Sequence, residues 1–264
     1  MASSSRLTRS LRHEYELFVE QEIENYKESV PRSVLLSIGD EAVAALSAAT
    51  QFVLTELLLC EEVDRIIVRR LRLPAYESWR RRRLKLIDEL RRPEHWGLRP
   101  DDVLVRAFPI SLEGRVLVAG ASDEVSALYL AANGCDVTTL AAEIDAAERV
   151  EQAAIGAGLS ARVHTHVGDL SSFAPQMPLN AVIVNPAVLE ALSASERARV
   201  IEVLQSATLD GGVHLVQTIA GIGTADEPMS LDELRVRYRG WHVTVERGEG
   251  EDRAKAFVAR KGAA

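Results

Sequence analysis

Cysteine is scarce in this sequence, and the two present, Cys60 and Cys135, stand too far apart for a CxxC redox pair or a zinc-ligand spacing. Both are expected to be small core residues. Long hydrophobic runs are also missing. No apolar stretch approaches the roughly 20 residues needed to cross a bilayer, which excludes a membrane span of that kind. The basic residues of MASSSRLTRSLRHEYE lead into no apolar segment, so a cytoplasmic location is expected. Internal repeats are absent, and the only biased tract is the serines near the start. Positive charge is in deficit too. The net charge is -8, and because residues 1–107 hold equal numbers of basic and acidic residues, the deficit falls wholly after them. An acidic second part argues against nucleic acid as a partner.

What is present is the composition of an ordinary globular protein, 47% hydrophobic and 27% charged over 264 residues. That length suits one large domain or two of moderate size. Residues 9–92 show helical spacing. Tyr15, Phe18, Val19, Ile23 and Tyr26 recur at three and four and form one stripe of an amphipathic helix. Pro31 opens the next segment, and Gly39 with Asp40 predicts a break after it. Residues 41–73 form a long, mostly apolar helical stretch, of one helix or two, that Pro74 ends. The following segment resumes with Tyr76, Trp79, Leu86, Ile87 and Leu90 on one side. The polar connector PEHWGLRPDD then marks a boundary, giving an N-terminal all-helical domain over 1–100 and a second domain over 101–264.

Beyond the connector, short β-branched runs alternate with helical ones, from GRVLVAG through CDVTTL, ARVHTHVG and LNAVIVN to VHLVQTI. Such alternation predicts an α/β domain with a parallel sheet and crossover helices. The tail reads as a helix, LDELRVRYRGW, followed by two strands in HVTVERGEGEDRAKAFVARK.

This ordered set resembles the class I S-adenosylmethionine-dependent methyltransferases over about residues 107–264. VLVAGASDEVSALYL is similar to the family's first strand, turn and helix, CDVTTLAAEID to the second strand and its exit, and VGDL to the segment after the third. LNAVIVNPAVLEAL resembles the fourth strand and its loop, and SERARVIEVLQSATLDGGVHLV the helix and glycine turn before the fifth. The resemblance implies a Rossmann-like, seven-stranded methyltransferase sheet. It also implies S-adenosylmethionine as cofactor, with Gly120, Ala121, Ser122, Glu143, Asp169, Leu170 and Asn185 as its binding residues and a small molecule as substrate.

Several aligned positions depart from the family's pattern. Val118 stands where the first strand carries an acidic residue, and Ser122 and Glu124 replace glycines whose bare backbone a ligand approaches. Ala141 occupies the position of the carboxylate that takes the ribose hydroxyls, with Glu143 two residues on. Asp123 and Glu124 also load the first helical turn with negative charge, with Ser122 placed to cap it; a helix start otherwise favours an anionic ligand. The loop is similar to the TGASxGxG turn of short-chain dehydrogenases as well, but no tyrosine is followed four residues later by lysine.

Other features have plainer readings. VNPAV, residues 184–188, begins like the Asn-Pro-Pro-aromatic loop of amino-methylating enzymes but lacks the second proline and the aromatic, and reads as a strand-end turn. His164, His166 and His214 read as satisfied strand histidines. Arg80 to Arg83 advance about 100° per residue on a helix and cannot share a face, so they read as a solvated or interfacial surface with Glu77, Asp88 and Glu89 in reach. Two functions follow from the whole: a methyltransferase with a divergent cofactor loop, or a catalytically inactive pseudoenzyme that serves as a scaffold. In either, the greasy helical domain predicts a homodimer through the helices, or a lid. No metal is expected.

Overall fold

The computed structural model describes residues 10–48, 56–108, 114–120, 124–218, 230–247 and 255–262. The chain forms two compact units, Met1–Leu86 and Ile87–Ala264.

The first unit is helical. Helix α1 (Leu11–Ser29) starts at Ser10, whose hydroxyl accepts from the His13 amide and so satisfies one of the free N–H groups of the first turn. It is followed by α2 (Arg32–Ala48), α3 (Glu56–Leu71) and α4 (Tyr76–Leu90), the last crossing the division between units. Ile23, Ile38, Ala42, Ile66 and Ile67 make the core, with Val19, Tyr26 and Val34 against it. A second cluster joins α1 to α4. The Tyr15 ring lies 5.4 Å from both the Tyr76 and Trp79 rings, and the Tyr15 hydroxyl donates to the Pro74 carbonyl at 2.9 Å. The stripe on α1 is therefore the expected one, with its start serving the aromatic cluster and its end the aliphatic core.

Three expectations about this unit are corrected. Gly39 does not break α2, because Ile38 and Ala42 on either side are fully buried. Packing of that face outweighs the roughly 1 kcal/mol that a mid-helix glycine costs. On α4 the inward stripe runs through Tyr76, Trp79, Arg83 and Ile87 to Leu90, while Leu86 is 40% exposed. Arg83 takes that place because its guanidinium pairs with Glu14 at 3.2 Å. Finally Cys60 is exposed on α3 and is no core residue; only Cys135 is. The long apolar stretch is divided between α2 and α3, with residues 49–55 outside the described set.

In the second unit a 3-10 turn, Pro93–Trp96, and the short α5 (Val103–Ala107) precede the sheet. Its elements in order are β1 (Arg115–Ala119), α6 (Glu124–Ala132), β2 (Asp136–Ala141), α7 (Ile144–Gly156), β3 (Val163–Val167), β4 (Leu179–Val184), α8 (Pro186–Glu190), α9 (Ala194–Ala207), β5 (Thr208–Thr218), α10 (Leu231–Arg237), β6 (His242–Arg247) and β7 (Lys255–Arg260). The seven-stranded sheet has the order β3-β2-β1-β4-β5-β7-β6. The strands from β3 to β5 are parallel, and β7 runs antiparallel to β5 and β6. The expected parallel sheet and closing hairpin are thus both present.

Central strands buried on both faces need apolar residues at every position, and β1 supplies Val116 to Ala119 without interruption. Val116 and Val118 face one layer with Leu128, Val150 and Leu104. Leu117 and Ala119 face the other with Leu189, Leu204 and Tyr238. The glycine pair before the fifth strand lies inside β5 as an irregularity against β4. Gly212 is required there, since a Cβ would stand 2.5 Å from Thr208 Cγ2 and 2.8 Å from the Leu209 carbonyl oxygen.

Candidate functional site

In an open parallel sheet, ligands bind outside the carboxyl ends of the strands where the strand order reverses. Here the reversal lies between β1 and β4, because the chain moves outward from β1 through β2 to β3 and then returns to the other side. The strand ends there are level: Ala119 is in register with Leu140 of β2 and Val184 of β4, and Ala141 with Val167 of β3. Hydrogen bonds beyond the ladders tie the exits together. The Gly120 amide donates to the Leu140 carbonyl at 3.2 Å, the Asn185 amide to Ala119 at 2.9 Å and the Gly168 amide to Ala141 at 2.9 Å.

This edge gathers five of the seven residues singled out from the sequence. Gly120 leaves β1 with φ 134°, a region that side chains rarely enter, so the position favours glycine. Ala121 and Ser122 lie outside the described residues, as does Asp123. Glu143 is the N-cap of α7, exposed, and makes no capping bond through its side chain. Asp169 is exposed after β3, with Oδ1 accepting from the Ser171 amide at 2.7 Å. Leu170 beside it is buried and holds that segment down. Asn185 caps α8, its Oδ1 accepting from the Ala187 amide at 3.0 Å, so VNPAV is a strand-end turn into a short helix.

The substituted positions are absorbed by packing. Val118 is buried in the layer beneath α6, and Ala141 lies against Ala146 and Ala147 of α7. The edge thus presents Gly120, Glu143 and Asp169, whereas Val118 and Ala141 bring no polar side chain to it.

The sequence reading passed over three further carboxylates at this edge: Asp145 in the first turn of α7, Glu190 at the end of α8 and Glu196 in the first turn of α9. Glu196 forms a capping box with Ser193, whose hydroxyl and amide both bond its carboxylate and hold its pKa below the ordinary range. The signal that could have found them is the absence of basic residues, since no lysine, arginine or histidine occurs between Val116 and Glu148 or between Val167 and Glu196. Glu124, Asp145, Glu148, Arg149 and Gln152 line an open cavity of about 500 Å³ beside this edge.

The histidines are all engaged or away from the edge's centre. His164 Nε2 lies 3.0 Å from Asp136 Oδ1 on the outer strands, and His166 packs near the Phe173 ring. His214 is fully buried in β5 with both ring nitrogens bonded. Among the described residues no group of three or more His, Cys, Asp or Glu is placed to hold a metal ion. No described helix is long and apolar enough to cross a membrane.

Comparison with known proteins agrees with this geometry. No curated protein sequence matches the chain. Among solved structures it is similar to TehB from Haemophilus influenzae, with 18% identity and a TM-score of 0.51 over 60% of this chain and 61% of that one. It thus spans about three fifths of that relative's length. It is also similar to the N-methyltransferase NodS from Bradyrhizobium japonicum WM9, with 11% identity and a TM-score of 0.52 over 61% of this chain and 93% of that one. These likenesses establish the fold as that of the class I methyltransferases. The profile of the family described as "Tellurite resistance protein TehB" matches residues 101–250, more than half of the chain, and the chain belongs to that methyltransferase-like family.

Proposed function

We propose that the chain binds S-adenosylmethionine across the carboxyl edge of its sheet and methylates a small molecule. The observation that carries this reading is Gly120 at the β1 exit, at the switch point, with φ 134°, a backbone conformation that favours glycine. The Gly120 backbone would approach the methionine part of the cofactor. Asp169, with Oδ2 still available, would accept from the adenine amino group, Glu143 would take the ribose hydroxyls in place of the carboxylate that Ala141 lacks, and Asn185 would lie near the transferred methyl. When bound, the cofactor supplies an electrophilic methyl group on a sulfonium. The chain's own contribution is to hold an acceptor in line with that group and to exclude water.

The test is calorimetric titration with S-adenosylmethionine and S-adenosylhomocysteine. Micromolar binding supports the reading, and no binding at millimolar ligand removes it. A second reading, a pseudoenzyme acting as a scaffold, is favoured by buried Val118 and Ala141 in place of polar groups. Binding that appears only in a Glu124→Gly variant would support this second reading, with the turn itself as the block.

The helical unit is proposed to pair two copies of the chain. Leu36 at 61% exposure and Leu57 at 70% leave apolar surface on α2 and α3 that a second copy would cover. A single mass by light scattering across a wide concentration range, equal to one chain, would exclude it.

A further inference from the structure

We propose that the free edge of β3 pairs antiparallel with β3 of a second copy of the chain, joining two sheets into one across a two-fold axis at Thr165. The pairing is independent of cofactor binding and uses a surface other than the helical one above.

β3 is an outer strand, and among the described residues it pairs only with β2. The ladder decides which of its backbone groups are used. The Arg162 carbonyl accepts from the Val137 amide at 2.7 Å, and the Gly168 amide donates to the Ala141 carbonyl at 2.9 Å. The register between these two bonds is unbroken, so the even-numbered residues turn their amides and carbonyls to β2. Those of Val163, Thr165 and Val167 point outward.

Outward groups of this kind are a template for another strand, and proteins guard them with charge, proline or a bulge. The other outer strand, β6, carries Glu246 and Arg247. β3 carries none of these devices. An open cavity of about 500 Å³ is lined by Val163, His164, Thr165 and His166 in succession, with Glu151 and Ala154 of α7 beside them. Successive residues of a strand point to opposite faces, so a cavity that touches all four follows the strand edge itself.

The strand's own sequence names the occupant. VHTHV, from Val163 to Val167, reads the same in both directions, and on a two-fold axis residue i meets j as j meets i. With the axis at Thr165, each Val163 lies opposite the partner's Val167 and each His164 opposite the partner's His166. Registers shifted by two residues keep the bonding direction but leave outward groups unmatched. Only the central one gives Val163, Thr165 and Val167 all a partner. It also covers Val167, which is 52% exposed, and sets the Arg162 end of one strand against the Asp169 end of the other, where the charges are opposite. The imidazoles gather on the other face, beside Asp136, which lies 3.0 Å from His164, and near the Phe173 ring. They occupy the non-hydrogen-bonded pairs, in which Cα atoms approach to about 4.5 Å.

Two short strands bury little area, so the dimer is expected to be weak, with a Kd of about 10 µM. Sedimentation equilibrium of the full chain from about 1 to about 300 µM should show the mass rising twofold through that value. Thr165→Pro removes an amide that points away from β2 and so costs the ladder no bond. With its thermal melt confirming the fold, it is expected to roughly halve the mass at the highest concentration, while any pairing through the helices is unaffected. A second measurement reads the register. His164→Cys and His166→Cys chains, both also Cys60→Ala, are mixed under mild oxidant and should form a disulfide-linked dimer at least about tenfold faster than either alone, because the like positions stand about 7–8 Å apart on the diagonal. A single-chain mass throughout, an unchanged mass for Thr165→Pro, or either cysteine variant crosslinking alone as fast as the mixture would each overturn the inference.

Discussion

His214 Nδ1 lies 2.7 Å from the Tyr238 hydroxyl while His214 Nε2 lies 2.7 Å from Thr208 Oγ1. One imidazole thus joins β5, the end of α9 and the end of α10 within the buried core. Burial pushes the His214 pKa down to about 3, with Lys261 adding to the effect, and burial raises that of Tyr238. The folded state therefore holds His214 neutral while an unfolded chain protonates it near 6.5. Its contribution to stability is complete above pH 6.5 and is lost as pH falls from there toward 3, at up to roughly 1.4 kcal/mol per pH unit. Urea unfolding at several pH values across this window should show the slope, and His214→Gln should flatten it. An unchanged slope in the variant would refute the assignment.

Arg197 is 3% exposed and bonds two backbone carbonyls and Glu233. Replacing it with methionine keeps the bulk but leaves a carboxylate and two carbonyls without their donor. The expected loss is about 3 kcal/mol in chemical denaturation. Restoring it by adding Glu233→Gln, which removes the stranded charge, would confirm the cause.

The two thiols should be separable by reaction with a chromogenic disulfide. Cys60 is exposed and Cys135 buried, with burial pushing the latter's pKa up to about 11. One equivalent is expected to react rapidly in the native state and the second only after unfolding. A Cys60→Ala chain should show no fast phase.

Gly120 tolerates no ordinary side chain at φ 134°. Gly120→Val is expected to cost about 1–3 kcal/mol of stability. Gly120→Ala at low temperature should stay folded and, on the proposed reading, lose at least about tenfold in affinity for S-adenosylmethionine. A chain that melts as the parent does would show that the backbone there is not constrained.

Much of the fold was legible because its signals are local. The continuous apolar run of β1, the alternation of β-branched and helical segments and the aromatic stripe of α1 each follow from residues close in sequence, and all appear where the patterns put them. The level edge that brings Gly120, Glu143, Asp169, Leu170 and Asn185 together follows from the order of those segments, since parallel strands must share one carboxyl end. The failures lie where a distant partner decides. Gly39 sits within a helix because Ile38 and Ala42 meet α3, and the inner position on α4 belongs to Arg83 because Glu14 of α1 awaits it. Leu86 and Cys60 face outward for lack of such partners, although their chemistry alone favours burial.

The sequence by itself determined the class of fold, the order of elements and the absence of basic residues from two long stretches, since composition and short-range periodicity need no third dimension. Only the tertiary structure decided that those stretches meet at one edge and that His214 has both nitrogens bonded. It also placed the replaced positions Val118 and Ala141 in packed layers. Each of these depends on contacts between residues far apart in the chain, and such contacts are set by which faces can be buried together.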